Sequence, residues 1–406
     1  MNYDVIISGA GPAGATCALF LARTGKKVLL LDKEKFPRDK VCADNKTWIC
    51  LDIVKELGLW TEFEKLEKSP IKGVLVASPA GHEMYTPLLE STVAEKGPWY
   101  NVRRILFDNM LARACRKEAN IEFIENATTV RPLIVNSAVA GVVYREKDGS
   151  IHDVFSKVVV AADGSKSPLA NELGISPQIK GRHAINARAY YENVKGPMDR
   201  CELYYLKGIC PGYFWIFPVD EKTCNVGIGM RLEDIEKGKI KLYKKLDELI
   251  SSEKFASRFS GAKKVSATGV WGLSVLGKRR KCSGDGFVLC GDAGAFAMTF
   301  SGEGVGPSMR TGKIAARAIE NAFERNDFSA KSLQEYDEML WGILQPEVNG
   351  FSFLETLILN QWLFDFVVRR VGKNKYLLNL SSKMQRDYRA AKEFTSPKAI
   401  LSLLFG

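Results

Sequence analysis

Asp4-Val5-Ile6-Ile7-Ser8-Gly9-Ala10-Gly11-Pro12-Ala13-Gly14 decides the fold. The apolar Val5-Ile6-Ile7 reads as a short buried strand, and the glycines open a stretch of helical character through Ala22. Gly9 permits the tight turn and Gly11 lets backbone approach a pyrophosphate. Gly14 lets the helix pack closely on the strand, and Ala13 stands in the same turn. Gly25 closes the helix, and Lys27 to Leu31 supplies a second strand ending at Asp32. That acid lies 18 residues after Gly14, where a residue binding ribose hydroxyls is expected. Strand, glycines, helix, strand and acid in this order predict a dinucleotide site, without separating NAD from FAD.

The rest of the chain sets bounds. Its 406 residues carry 58 Lys plus Arg against 47 Asp plus Glu, a formal charge of +11, with 46% hydrophobic residues. This is globular composition, long enough for two or three domains. Histidines occur only at 82, 152 and 183, and the nine cysteines never come closer than eight residues apart. No metal site is expected from such spacing. The odd cysteine count and a start that runs directly into Val5 predict a reducing, cytoplasmic setting, peripheral at most at the inner face of a membrane. Phe351 to Val368 is the nearest approach to a membrane span, but Glu355, Asn360, Gln361 and Asp365 interrupt it, so it reads as one amphipathic or buried helix. The positive balance suits anionic lipid or an acidic protein. Basic and aromatic residues do not interleave as at a nucleic-acid surface, so no nucleic acid is expected.

Two later segments narrow the cofactor. Val158 to Ala162 reads as another buried strand, ending in Asp163-Gly164-Ser165-Lys166-Ser167, and Cys290-Gly291-Asp292-Ala293-Gly294 follows late in the chain. This order resembles the FAD-dependent group of the p-hydroxybenzoate hydroxylase fold. The resemblance implies FAD, with Asp163 in the cofactor site and Gly291 and Asp292 at the ribityl chain. Arg103 or Arg104 would contact the flavin. Gly302-Glu303-Gly304-Val305-Gly306 would open a helix whose bare amides face the pyrimidine edge of the ring, where negative charge gathers on reduction. Two positions depart from the pattern: Ala170 replaces an arginine and Thr299 a proline.

Between residues 185 and 230 the chain alternates and is aromatic, which predicts an antiparallel sheet. Tyr213, Trp215 and Phe217 recur every second residue, placing three rings on one face of a strand, as core or as the wall of an elongated apolar cavity. Tyr213, Trp215, Phe217 and Pro218, followed by Gly227 and Gly229, resemble the substrate-region signature of the geranylgeranyl reductase family. Cys42, shortly after Pro37-Arg38, matches a second mark of that family, although Ala43-Asp44 replaces its usual glycine. The resemblance implies substrate contacts at Tyr213, Trp215, Phe217, Pro218 and Gly227, and roles beside the flavin for Cys42 and Tyr213.

The expected fold is α/β: a Rossmann-type FAD-binding domain from 1–70, 98–175 and 278–330, an inserted antiparallel-sheet substrate domain from 71–97 and 176–277, and a helical C-terminal region from 331–406. That tail would cap the cavity or rest on a bilayer. The resemblance implies saturation of isolated C=C bonds in a geranylgeranyl or polyprenyl lipid, with NAD(P)H or a ferredoxin as electron donor. An unconjugated alkene offers no carbonyl to take up charge, so hydride delivery must be coupled to a proton. Two rivals are a flavin monooxygenase or halogenase of the same fold, for which Lys72 would be the halogenating lysine, and a noncatalytic flavin or prenyl-lipid carrier.

Overall fold

The computed structural model describes residues 3–299 and 302–405. The opening strand, Val5–Ser8, lies at the centre of a six-stranded sheet. Val28–Asp32 and Ile121–Glu125 flank it on one side, and Val158–Ala161, Phe287–Leu289 and the short Ser283–Gly284 on the other. All neighbours run parallel except the last pair. The central strands are buried on both faces, which explains their continuous apolar sequences. Distant segments thus build one nucleotide-binding sheet.

Close packing fixes the two helices that meet the cofactor groove. Pro12–Arg23 follows the first strand, and a Cβ on Gly14 would stand 1.8 Å from the Gly9 carbonyl oxygen. Val305–Glu324 packs along the same helix, and a Cβ on Gly312 would stand 2.2 Å from the Ala13 carbonyl oxygen. Glycine therefore lets both glycine-rich helix starts converge on one place. Backbone approach of this kind admits no larger side chain.

The middle of the chain forms an eight-stranded sheet ordered Lys263–Lys264, His183–Glu192, Thr223–Arg231, Tyr213–Pro218, Arg200–Tyr204, Gly73–Ala77 and Glu83–Pro87, with Gly269–Ser274 also pairing to His183–Glu192. It departs from the purely antiparallel expectation at one place: Arg200–Tyr204 and Gly73–Ala77 run parallel. That pairing brings together segments far apart in sequence, a long-range contact that strand periodicity does not encode. A three-stranded antiparallel sheet, Thr128–Val135 with Ala138–Arg145 and Ile151–Phe155, completes the nucleotide-binding side.

The tail is helical: Ala330–Leu359, Gln361–Val371, Lys375–Arg386 and Pro397–Phe405, with a 3-10 segment at Tyr388–Thr395. The single helix expected from Phe351 to Val368 is in fact broken, with a 110° bend at Asn360. Asn360 leaves helical geometry (φ −98°, ψ 92°), and its side-chain oxygen accepts from the Leu363 amide, so it caps a new helix. Among the described residues no single helix is long and apolar enough to cross a membrane.

Candidate active site

One cavity of about 690 Å³ runs between the parallel sheet and the mixed sheet. At its polar end Gly9 has φ +99°, and a Cβ there would meet the Ala162 carbonyl oxygen at 2.4 Å. A Cβ on Gly11 would meet only the Arg38 guanidinium, at 3.8 Å, so this backbone lies open to the groove. Asp32 takes the Ala10 amide on Oδ2 (2.8 Å) and the Glu34 amide on Oδ1 (2.9 Å). Burial raises its pKa, against the pull of Arg38 and these two amides. The turn is therefore braced by the acid that the dinucleotide fingerprint assigns to ribose.

Further along the groove stand Asp163, Lys40 and Asp292. Asp163 is half-buried in the cavity wall. Its Oδ2 accepts from Ser8 Oγ at 3.3 Å, while Oδ1 makes no well-formed hydrogen bond among the described residues. Burial pushes this carboxyl up to about 6, despite help from the Ser167 and Ser8 hydroxyls. Lys40 Nζ lies 3.3 Å from Asp292 Oδ2. Trp271 walls the same stretch, with the amines of Lys33, Lys40 and Lys166 at 5.8, 5.3 and 5.4 Å from its ring centre. Its indole N–H is buried without a hydrogen-bond partner among the described residues. An open glycine cradle, a cluster of cations and two unsatisfied buried polar atoms fit an anionic, polar cofactor such as FAD.

Of the two candidate arginines, Arg104 lines the cavity and Arg103 does not. Arg103 turns outward to Glu67 and Asp220. Arg104 is 5% exposed and donates two hydrogen bonds to Asp108, both 2.6 Å, while Arg38 reaches the same carboxylate at 2.7 Å. Burial opposes the charge on Arg104, but Asp108, with a smaller contribution from Cys42, holds its pKa above the ordinary value. Asp108 is correspondingly lowered: its two arginines outweigh its burial.

Beyond the groove the cavity becomes apolar. Tyr213 and Trp215 line it, with ring centres 5.9 Å apart, together with Met230, Leu273, Val275 and Ile358. Burial, with Cys42 nearby, pushes the Tyr213 phenol up to about 12, so it keeps its proton throughout the neutral range. A Cβ on Gly302, where φ is +65°, would lie 2.5 Å from the Tyr213 hydroxyl. The glycine turn that leads into Val305 thus meets the aromatic strand, and Gly302, Gly304 and Val305 share the lining with Gly291 and Asp292.

Three residues of the aromatic signature stand outside the lining. Phe217 is buried in the core cluster, Pro218 gives its carbonyl to Asn101 Nδ2 (2.8 Å), and Gly227 lies beneath Trp215. A Cβ on Gly227 would come within 2.2 Å of the Trp215 ring, so this glycine creates the slot that the indole fills. Gly14 likewise packs helix on strand and leaves the lining to Gly9, Gly11 and Ala13. Lys72 is far from the role the halogenase reading would give it. Its side chain is 70% exposed, pairs with Asp199 and does not line the cavity.

Cys42 lines the cavity, and Asp44 fixes its loop. Asp44 is fully buried with φ +71°; its Oδ2 accepts from Tyr190 Oη and Asn225 Nδ2, each at 2.7 Å, and its Oδ1 from the Arg104 amide at 3.1 Å. Asn225 also donates to the Cys42 carbonyl (2.6 Å) and accepts from the Trp215 indole N–H (2.9 Å). Lys46, fully buried, donates to the Asp44 and Val102 carbonyls. Burial raises the Asp44 pKa, although Lys46 and Arg188 oppose it. Asp44, Asn225 and Tyr190 come from three separate segments and share no motif, so nothing in the sequence groups them as one site. Their one signal was the acid standing where the family pattern has glycine nearby.

Comparison with known proteins agrees with this geometry. An FAD-binding domain model matches residues 2–223, and a geranylgeranyl reductase catalytic domain model matches residues 183–269. A digeranylgeranylglycerophospholipid reductase of Methanopyrus kandleri is 30% identical over 343 residues, 83% of this chain and 82% of that protein. A geranylgeranyl bacteriochlorophyll reductase-like protein of Thermoplasma acidophilum shares the fold at a TM-score of 0.83 and 22% identity, over 97% of this chain and 98% of that one. A triple mutant of the flavin-dependent brominase Bmp2 shares it at 0.80 and 22%, over 98% and 97%, a likeness of fold alone. With a nucleotide groove suited to FAD and family matches across most of its length, the chain belongs to the FAD-dependent geranylgeranyl reductase family, oxidoreductases that act on carbon–carbon double bonds.

Proposed function

We propose that this chain saturates isolated double bonds in the geranylgeranyl chains of an isoprenoid glycerophospholipid. The observation that carries the reading is the continuity of one cavity from the Gly9–Gly11 cradle to the Tyr213, Trp215 and Ile358 walls. The relatives named for digeranylgeranylglycerophospholipid favour a glycerophospholipid over other prenyl compounds. Reduced FAD, when bound, supplies the hydride. The protein's part is to hold the chain and provide a proton without admitting bulk water.

Tyr213 is suited to that part. Its hydroxyl proton is retained in the neutral range, it borders the Gly302 turn, and Trp215 beside it is immobilised through Asn225. Cys42 Sγ accepts the Asp44 amide at 3.3 Å, which orients a second protic group toward the same space. Electrons would come from NAD(P)H or an acidic ferredoxin, and the +11 charge favours encounter with the latter.

The test is anaerobic. Purified FAD-loaded protein reduced with dithionite should add 2 Da per double bond to a digeranylgeranyl glycerophospholipid, read by mass spectrometry. Absence of any mass gain across several geranylgeranyl lipids would sink the reading, as would oxygen-dependent halide incorporation. Tyr213→Phe should lower the rate by about 10²-fold or more, the usual scale for losing a general acid, while FAD affinity stays unchanged.

A further inference from the structure

Two C-terminal helices leave their largest apolar side chains in solvent. Trp362 is 74% exposed and Phe405 81%, while Leu359, Ile400, Leu401 and Leu404 lie between 46% and 56%. A run of contacts joins the helix that carries Trp362 to the one that carries Phe405. Trp362 stacks on Phe366 with ring centres 6.0 Å apart, and the Arg370 guanidinium lies 5.4 Å from the Phe366 ring centre. Arg370 also donates to the Leu404 carbonyl at 3.3 Å, which ties Gln361–Val371 to Pro397–Phe405. A soluble chain gains nothing by presenting such a cluster to water.

Charge and position say what covers it. Residues 361–375 carry Arg369, Arg370, Lys373 and Lys375 against the single acid Asp365. That acid is turned aside, accepting the Ala80 amide at 2.8 Å. The face begins at the 110° elbow around Asn360, and Leu359, the last residue before the elbow, lines the active-site cavity. An apolar face flanked by cations, continuous with the mouth of an apolar cavity, matches an anionic bilayer surface.

We propose that this face docks the protein on an anionic membrane, with Trp362 and Phe405 seated at the boundary between headgroups and acyl chains. The cavity mouth at Leu359 and Ile358 then opens toward the leaflet, and a prenyl chain enters without crossing water. The entry route rests on the prenyl-lipid reading above; the docking surface does not.

The experiment uses the full FAD-loaded chain and vesicles of phosphatidylcholine with or without phosphatidylglycerol. Cosedimentation should be strong with the anionic vesicles, weaker with neutral ones, and reduced at least tenfold by the double variant Trp362→Ser, Phe405→Ser. Both side chains are exposed, so the variant should fold, bind FAD and reduce a detergent-dispersed prenyl substrate like the parent. Wild-type protein that stays in the supernatant with anionic vesicles, or binding that survives the double variant, overturns the proposal. So does a solution dimer that the same substitutions dissociate, since the face would then meet a second copy of the chain. If vesicles bind as expected but no prenyl lipid gains mass, the surface stands and the substrate reading falls.

Discussion

Asp163, just past the Val158–Ala161 strand, is a half-buried acid whose pKa is pushed to about 6 from an ordinary 3.8, chiefly by loss of water. Below about 3.8 it is protonated in both the folded and unfolded chain and costs nothing. As pH rises toward about 6 the unfolded chain releases the proton first, so folding loses stability across that window. Asp163→Asn removes the penalty. Urea titrations of the apoprotein should find the variant gaining on wild type between pH 4 and 7, by on the order of 3 kcal/mol at the upper end. A flat difference would mean that Asp163 is solvated. Lys40 and Trp271 act nearby. Lys40→Ala, which removes a cation beside Asp292, should weaken FAD binding by about tenfold, the scale of one charge-assisted hydrogen bond. Trp271 emission should fall as FAD is added, and Trp271→Phe should lose most of that quenching. Equal quenching in the variant would place the cofactor elsewhere.

At the scale of elements, the decisive contacts are those where backbone replaces side chain. Gly227 sits opposite Trp215 in the antiparallel pair formed by Tyr213–Pro218 and Thr223–Arg231, and its missing Cβ is the space the indole occupies. Gly227→Ala would press the ring at 2.2 Å and the Ala187 carbonyl oxygen at 2.6 Å. The indole must then swing toward the cavity, breaking its bond to Asn225. The expected result is a loss of about 1–3 kcal/mol of stability, the usual cost of overpacking. The Michaelis constant for prenyl substrate should rise at least tenfold with FAD affinity intact. Kinetics and flavin titration on one preparation check both. The strand alternation that revealed Tyr213, Trp215 and Phe217 could not foretell that the third ring faces core. Phe217 packs in the core cluster and Pro218 is held through its carbonyl by Asn101, and strand periodicity carries no information on what lies against each face.

Across the whole molecule, the C-terminal region closes the site that the first 325 residues build. Glu355, on Ala330–Leu359, takes both its oxygens to Arg182 Nη1 at 2.7 and 2.8 Å, across the cavity rim. Tyr388 donates to Glu303 beneath the Gly302–Gly304 turn, and Thr47 donates to the same acid at 2.5 Å. The tail therefore reaches both the cavity rim and the Gly302–Gly304 turn in its lining. Glu355→Ala breaks a pair about one-third exposed, so its cost in stability should stay below about 1 kcal/mol. Its effect should appear in function: FAD affinity unchanged, and the Michaelis constant for a prenyl lipid raised several-fold as the rim loosens. A large fall in the unfolding midpoint would recast the pair as structural.

The sequence by itself determined the nucleotide-binding half, because the features that bind a dinucleotide are local, while FAD rather than NAD came from the resemblance carried by Asp163, Gly291 and Asp292. A strand, a glycine turn, a helix start and an acid lie within 29 residues, from Asp4 to Asp32, and each acts through its own backbone. It also determined the aromatic strand, since alternation over Tyr213–Pro218 is a property of neighbours in the chain. Only the tertiary structure put Arg104 and not Arg103 in the cavity lining, revealed Asp44 as the hub beneath Cys42, and put Leu359 in the lining beside exposed apolar side chains. Those choices depend on which distant segments share a buried space, where burial and charge pairing are settled by neighbours that the linear order keeps far apart.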